Sequence, residues 1–158
     1  MIKTTLCYIV RGDDVLMLHR VKKKNDLNQD KWIGVGGKFL PGETPEACLL
    51  REVREETGLR LTRYRPCGVI RFESDLWESE DMYLYLAEGF EGELAACDEG
   101  DLQWVSRDFV DNLPTWEGDR LFLQKMWRGD PFFHMHLRYQ GDCLVYASAD
   151  EEILVNKA

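Results

Sequence analysis

The 158 residues, 44% hydrophobic and 31% charged, are enough for one domain with its own core and exclude a disulfide-stapled miniprotein or a disordered chain. A formal net charge of −9 speaks against general binding of DNA or RNA, which needs a basic face to displace phosphate counterions. It is compatible with a phosphorylated small molecule when divalent cations bridge carboxylates to phosphates.

In chain order, Met1-Ile2-Lys3-Thr4-Thr5 leads straight into a strand-like run, with no signal-peptide pattern and no apolar stretch of membrane-spanning length. The expected location is therefore cytoplasmic, with no membrane partner. Thr4 to Val10 and Val15 to Leu18 are aliphatic or β-branched around Gly12-Asp13-Asp14 and predict a hairpin. The polar stretch from Lys22 to Asp30 reaches Trp32, after which Gly34, Gly36 and Gly37 make a permissive backbone that turns sharply or is approached closely. Thr44 followed by Pro45 predicts a helix start, by side-chain capping and by proline at the first helical position. The helix runs to about Thr57, stops at Gly58, and takes its buried side from Ala47, Cys48, Leu49, Leu50 and Val53.

Farther along, Gly68 to Phe72, Met82 to Phe90 and Leu102 to Val105 read as strands, and Thr115 to Trp127 as a helix capped by Thr115. Phe132 to Tyr139 and Cys143 to Ala149 predict a final hairpin around Gln140-Gly141-Asp142. No repeat, low-complexity tract or linker interrupts the chain, so residues 1–158 are expected to form one mixed α/β domain. The five cysteines Cys7, Cys48, Cys67, Cys97 and Cys143 are scattered and contain no Cys-x-x-Cys pair, so they predict reduced thiols rather than a disulfide framework or a zinc site.

Glu52, Glu55 and Glu56 stand at helical offsets of three and four and project from one side of the predicted helix. Like charges so placed cost a helix a few tenths of a kcal/mol, about 0.2–0.5 per pair, and a chain accepts that where a cation is to sit. The surroundings strengthen the reading: Gly36-Gly37-Lys38 and Pro41-Gly42-Glu43 precede the helix, and Arg51 adjoins Glu52.

Gly37, Glu43, Arg51, Glu52, Val53, Glu55, Glu56, Gly58 and Leu59 satisfy every specified position of a glycine, five residues, a glutamate, seven residues, then Arg-Glu-aliphatic-any-Glu-Glu-any-Gly-aliphatic. This resembles the Nudix box. The resemblance implies the Nudix fold, a mixed β-sheet sandwiched between helices, and a hydrolase whose glutamates hold Mg2+, with Mn2+ as an alternative. It implies metal ligation by Glu55 and Glu56, by Glu52 and by the Gly36 carbonyl, with Glu43 and Arg51 as a structural ion pair and Lys38 near the phosphates. Cys97-Asp98-Glu99 precedes a predicted strand, where relatives often place another acid, and Glu99 is the residue selected. Glu52, Glu56 and Glu99 are the candidates for the catalytic base. The expected reaction is attack of water on a nucleoside triphosphate, giving monophosphate and pyrophosphate.

Trp32-Ile33-Gly34-Val35-Gly36-Gly37-Lys38 together with Thr115-Trp116-Glu117-Gly118-Asp119 is similar to the MutT-type subgroup that hydrolyses oxidised purine triphosphates such as 8-oxo-dGTP and so cleans the nucleotide pool. Trp116 would stack on the base and Asp119 would read its edge. Ile33 stands where some members carry an amide, and Gly118 where some carry a second acid. The loss of one hydrogen-bonding group blunts discrimination by about 1–3 kcal/mol.

The basic run Arg20, Lys22, Lys23 and Lys24 reads as a solvated loop, with phosphate steering as its functional alternative and Lys23 as a substrate contact. His134 and His136 share one face of a predicted strand, without an evident third metal ligand. Competing expectations are another Nudix substrate, such as ADP-ribose or a dinucleoside polyphosphate, and a nucleotide sensor that binds without cleaving. The partner expected in each case is a small nucleotide and not a nucleic acid polymer, with the protein a monomer or homodimer.

Overall fold

The computed structural model describes residues 1–22 and 26–157. Among them lie nine strands: β1 (Ile2–Arg11), β2 (Asp14–His19), β3 (Trp32–Ile33), β4 (Arg60–Ser74), β5 (Glu80–Glu91), β6 (Asp101–Ser106), β7 (Phe133–Gln140), β8 (Cys143–Ala149) and β9 (Glu152–Asn156). Two α-helices, α1 (Pro45–Thr57) and α2 (Asp119–Arg128), and a 3-10 turn at Arg107–Asn112 complete the chain. No helix is long and apolar enough to cross a membrane.

The strands form one mixed sheet in the order β3-β2-β1-β5-β4-β7-β8-β9, with β6 along the other edge of β2. β1 runs parallel to β5 and β4 parallel to β7, and the remaining pairs are antiparallel. Period-two alternation sends the side chains of β1 into two cores. Tyr8 and Val10 join Phe122, Leu123 and Met126 of α2, whereas Cys7 and Ile9 join Leu49 and Val53 of α1. The sheet is therefore covered by a helix on each face, as the fold resemblance implied.

The site depends on how β1 pairs. β2 holds β1 only over Ile9 to Arg11, which leaves the edge of Lys3 to Cys7 open, and the glycine segment fills it. The Cys7 and Val35 amides each donate to the other's carbonyl, at 2.6 and 2.9 Å, and the Thr5 amide donates to the Gly37 carbonyl at 2.9 Å. The approach is so close that a Cβ on Gly36 would lie 1.9 Å from the Thr5 carbonyl oxygen, so only glycine fits.

Helix α1 has the predicted limits. The Thr44 hydroxyl accepts the Ala47 amide at 3.2 Å, a cap of about 1 kcal/mol. Gly58 closes the helix in the left-handed region at φ 78°, donating to the Arg54 carbonyl. The buried face differs from the expectation: Cys48, Leu49, Val53, Glu56 and Thr57 are buried, whereas Ala47 and Leu50 are exposed. The core lies on the Leu49-Val53-Thr57 stripe, and Glu56 is carried inward beside it.

The second helix starts later than predicted. Thr115 caps nothing; α2 begins at Asp119 after Gly118, with no side-chain cap. The Gly118 amide instead donates to the Tyr139 hydroxyl of β7 at 2.8 Å, so a residue 21 positions away does the work of a local cap. β4 also extends well beyond Gly68 to Phe72: its charged first half pairs with β5 through irregularities at Leu61/Arg63, Arg63/Tyr64 and Pro66/Gly68. Thr62 and Tyr64 favour a strand, but Arg60, Arg63, Arg65 and Pro66 break the apolar pattern there, and pairing with β5 holds the segment extended. β3, β9 and the 3-10 turn are additions that the sequence reading does not contain.

Candidate active site

A cleft of about 530 Å³ opens between the glycine segment, α1 and the cleft-facing side of β1, β4 and β5. At one end it is lined by Gly36, Gly37, Lys38, Glu52, Glu56 and Glu99, which brings together residues from the glycine segment, the helix and the Cys97-Gly100 loop. At the other end it is lined by Leu6, Leu27, Phe72, Glu80, Met82 and Trp116.

In the acidic end, Glu52 and Glu56 are one helical turn apart and face the cleft together. A Cβ on Gly37 would lie 2.4 Å from the Glu52 carboxylate, so that glycine gives Glu52 its room. The Gly36 amide donates to Glu56 Oε2 at 3.1 Å. Burial is the main cause that pushes the Glu56 carboxyl up to about 9, followed by the nearby charge of Glu99. Glu55 points away: its side chain is 59% exposed, 3.2 Å from Arg51 Nη1, and outside the cleft lining.

Arg51 organises the flank. Its Nε and Nη2 donate to the two oxygens of Glu43 at 2.8 Å each, the planar fork matching the carboxylate. Nη1 reaches Glu52 Oε1 at 2.6 Å and Nη2 the Lys38 carbonyl at 3.0 Å. These bonds hold the Glu43 carboxyl down at about 2 and fix the loop before α1 to the helix.

Arg20 corrects the reading of the basic run. It is buried, with Nε 2.8 Å from Asp26 Oδ2 and Nη1 3.1 Å from Glu99 Oε2, and it lines the cleft. Lys22 Nζ donates to the Cys97 carbonyl at 2.9 Å, tying the same loop. Arg20 therefore aims Glu99 rather than standing in solvent. Its only trace in the sequence is its place just after the continuous apolar run of β2. Lys23 and Lys24 lie outside the described residues.

Trp116 is buried, edge-on to Phe72 and Tyr139 at centroid distances of 5.2 and 4.8 Å. Its Nε1 donates to Asn28 Oδ1 at 2.8 Å, and the Lys31 ammonium sits 4.4 Å from the ring centroid. The indole is thus a fixed wall of the cleft. Asp119 is buried and outside the cleft lining. Burial drives its carboxyl up to about 8, partly opposed by a backbone hydrogen bond from Trp116 and by the charge of Lys31. Ile33 does line the cleft, and a Cβ on Gly118 would lie 2.6 Å from the Tyr139 hydroxyl, so a second acid does not fit there. Trp77 and Glu80, which the sequence reading passed over, line the cleft from the β4–β5 turn and from β5. His136 Nε2 lies 3.2 Å from Glu73 Oε2 and His134 is exposed; neither lines the cleft.

Among the described residues no three His, Cys, Asp or Glu side chains already converge as a metal cage, and Arg51 donates to one oxygen of Glu52. The donor chemistry nonetheless suits a hard divalent cation. Glu52, Glu56 and Glu99 offer only oxygen, and the burial and then the Glu99 charge that raise Glu56 are what a bound cation offsets.

Comparison with known proteins agrees with this geometry. The NUDIX domain family model matches residues 2–126. The chain is 34% identical over 150 residues to an oxidized purine nucleoside triphosphate hydrolase of Danio rerio, covering 93% of each chain. It is 31% identical over 140 residues to the nucleoside triphosphatase NudI of Enterobacter sp., covering 78% of this chain and 96% of that one. The crystal structure of a mutator MutT protein from Bacillus halodurans superposes with a TM-score of 0.83 at 26% identity, covering 96% of this chain and 99% of that one. With the box residues folded around one cleft and these relatives beside it, the chain belongs to the Nudix hydrolase family.

Proposed function

We propose that the protein is a Mg2+-dependent pyrophosphohydrolase of the cytoplasm that converts oxidised purine nucleoside triphosphates such as 8-oxo-dGTP to the monophosphate and pyrophosphate, with residues 1–158 acting as one catalytic domain. The observation that carries this reading is the single cleft joining an oxygen-rich acidic end to an apolar, aromatic end. Its volume of about 530 Å³ falls within the range of small-molecule sites, roughly 300–1,000 Å³.

Glu52, Glu56 and Glu99 with the Gly36 carbonyl, all in the cleft, are assigned to hold the cation, with Glu55 on the flank beside Arg51. A bound magnesium ion supplies charge neutralisation on the phosphates and lowers the pKa of water. The attacking water gives up its proton to one of Glu52, Glu56 and Glu99, and Lys38 stands over the phosphates from the glycine segment. Arg51 and Glu43 keep the loop and Glu52 in register, while Arg20 aims Glu99. Trp116 forms the wall against which the base lies. Asp119, inside the core, acts through the segment that carries Trp116, with its own amide donating to the Trp116 carbonyl at 3.1 Å.

The test is hydrolysis of 8-oxo-dGTP, the ordinary deoxynucleoside triphosphates, ADP-ribose and a dinucleoside polyphosphate in magnesium, with Glu56→Gln as control. A higher kcat/KM for the oxidised purine, release of pyrophosphate and loss of activity in the control are expected. Preference for ADP-ribose or the dinucleoside polyphosphate would sink the triphosphate reading while keeping the Nudix chemistry. No turnover of any compound by the folded parent would turn the protein into a nucleotide-binding module.

A further inference from the structure

We infer that Glu80 is the specificity-determining residue of the cleft, its carboxylate reading the donor edge of a guanine-type base. This deepens the triphosphate reading above and rests on it.

Strand register places Glu80 in the floor of the apolar end. Ile2 of β1 and Phe72 of β4 are its lateral partners, and Met82 stands two residues along on the same face beside Thr4. All five line the cleft. An acid in such a floor carries a desolvation cost that a hydrogen bond from a neutral group offsets only in part. Burial accordingly raises the Glu80 carboxyl, opposed by Thr4 and by the charge of Lys38. The Thr4 hydroxyl donates to Glu80 Oε2 at 2.9 Å, which orients the carboxylate; Oε2 keeps a second lone pair and Oε1 both of its own, so each oxygen can accept a donor from a ligand. A convergent polar group beside apolar side chains such as Phe72, Met82 and Trp116 is the arrangement that orients a bound molecule.

The chemistry selects the base. Guanine and its 8-oxo form present a ring N–H beside an exocyclic amino group, two donors side by side, and a carboxylate is an acceptor on both oxygens. Adenine presents one acceptor beside one amino group, which leaves half of a carboxylate unmatched. The alternatives at this end are weaker. Asp119 is outside the cleft lining, Ile33 has no polar side-chain atom, the Trp116 Nε1 is already bonded to Asn28, and Glu78 is an exposed acid at the rim.

The experiment measures kcat/KM for 8-oxo-dGTP, dGTP and dATP with the parent, Glu80→Gln and Thr4→Val, with thermal melting of each. Glutamine is isosteric and still accepts the Thr4 bond, but its amide pairs one acceptor with one donor and so suits adenine. The ratio of guanine-type to adenine-type kcat/KM is expected to fall about 10- to 100-fold in Glu80→Gln, mainly through KM, and less in Thr4→Val. An equal loss on all three substrates, or an unchanged ratio, overturns the inference and leaves Glu80 a structural partner of Thr4. If the parent cleaves none of them, the proposed function has failed separately. Binding of 8-oxo-dGMP, dGMP and dAMP, followed by tryptophan fluorescence, then decides Glu80. The same fall in the binding ratio supports it, whereas an unchanged ratio, or no binding by the parent, overturns it.

Discussion

At the acidic end of the cleft, Glu52 and Glu56 come from one turn of α1, and the residues that make room for them and orient them, Gly36, Gly37, Glu43 and Arg51, lie within 20 positions in the chain. The apolar end draws Leu6 from β1, Phe72 from β4, Glu80 and Met82 from β5, and Leu27 and Trp116 from two loops. The Glu52–Glu56 pair is a local device, set once the helix forms, to which the Cys97-Gly100 loop adds Glu99. The apolar end exists only when five separate segments have paired and packed. Chemistry tied to one helix turn tolerates drift elsewhere in the chain, whereas specificity spread over the sheet changes with any of several side chains. The same fold can thus retain its reaction and alter its substrate.

If this division is right, the two ends fail differently when broken. Glu56→Gln removes the carboxylate at the acidic end while the Gly36 amide keeps an acceptor. Turnover, read as pyrophosphate release, is expected to fall about 100- to 10,000-fold, with melting temperature unchanged or higher; a large drop in stability would mean that Glu56 is a structural acid. Trp116→Ala acts at the other end, where the indole is both wall and core. A loss of about 3–5 kcal/mol of stability is expected in denaturant unfolding, and a variant that keeps its stability would show that Trp116 is not a core residue.

Asp119 gives a pH-dependent effect. Its carboxyl is raised from 3.8 to about 8 in the folded protein, so the folded state binds a proton that the unfolded chain releases. The stability that this group contributes is complete at acid pH and declines as pH rises toward about 8. Asp119→Asn stays neutral throughout. Its melting temperature should therefore gain on the parent as pH rises, by roughly 5–10 °C at pH 9. A gap of constant size across pH 5 to 9 would show that Asp119 does not titrate in this range. The smallest effect is expected from Trp77→Ala at the rim, where the side chain is 37% exposed: KM rises about 2- to 10-fold with little change in melting. An unchanged KM would place Trp77 outside the base site.

The limits of α1, its Thr44 cap and its Gly58 stop were legible because each is a short-range matter of hydroxyls, φ angles and free amides. The glutamate spacing was legible for the same reason, since 3.6 residues per turn fixes which acids are neighbours. Which glutamates would face the cleft was not. Glu52 and Glu56 line it and Glu55 does not, and the sheet beneath the helix decides that.

By itself, then, the sequence determined the helix, the glycine approach, the acid cluster and the mixed fold, all governed by local geometry or a fixed spacing. Tertiary structure alone decided the late start of α2, because the Gly118 amide finds its partner in Tyr139. It also decided the burial of Arg20 between Asp26 and Glu99 and the placing of Glu80 beside Thr4. Each of these is a polar group whose partner lies in a different element, and burial, which makes that pairing obligatory, comes only when the elements pack.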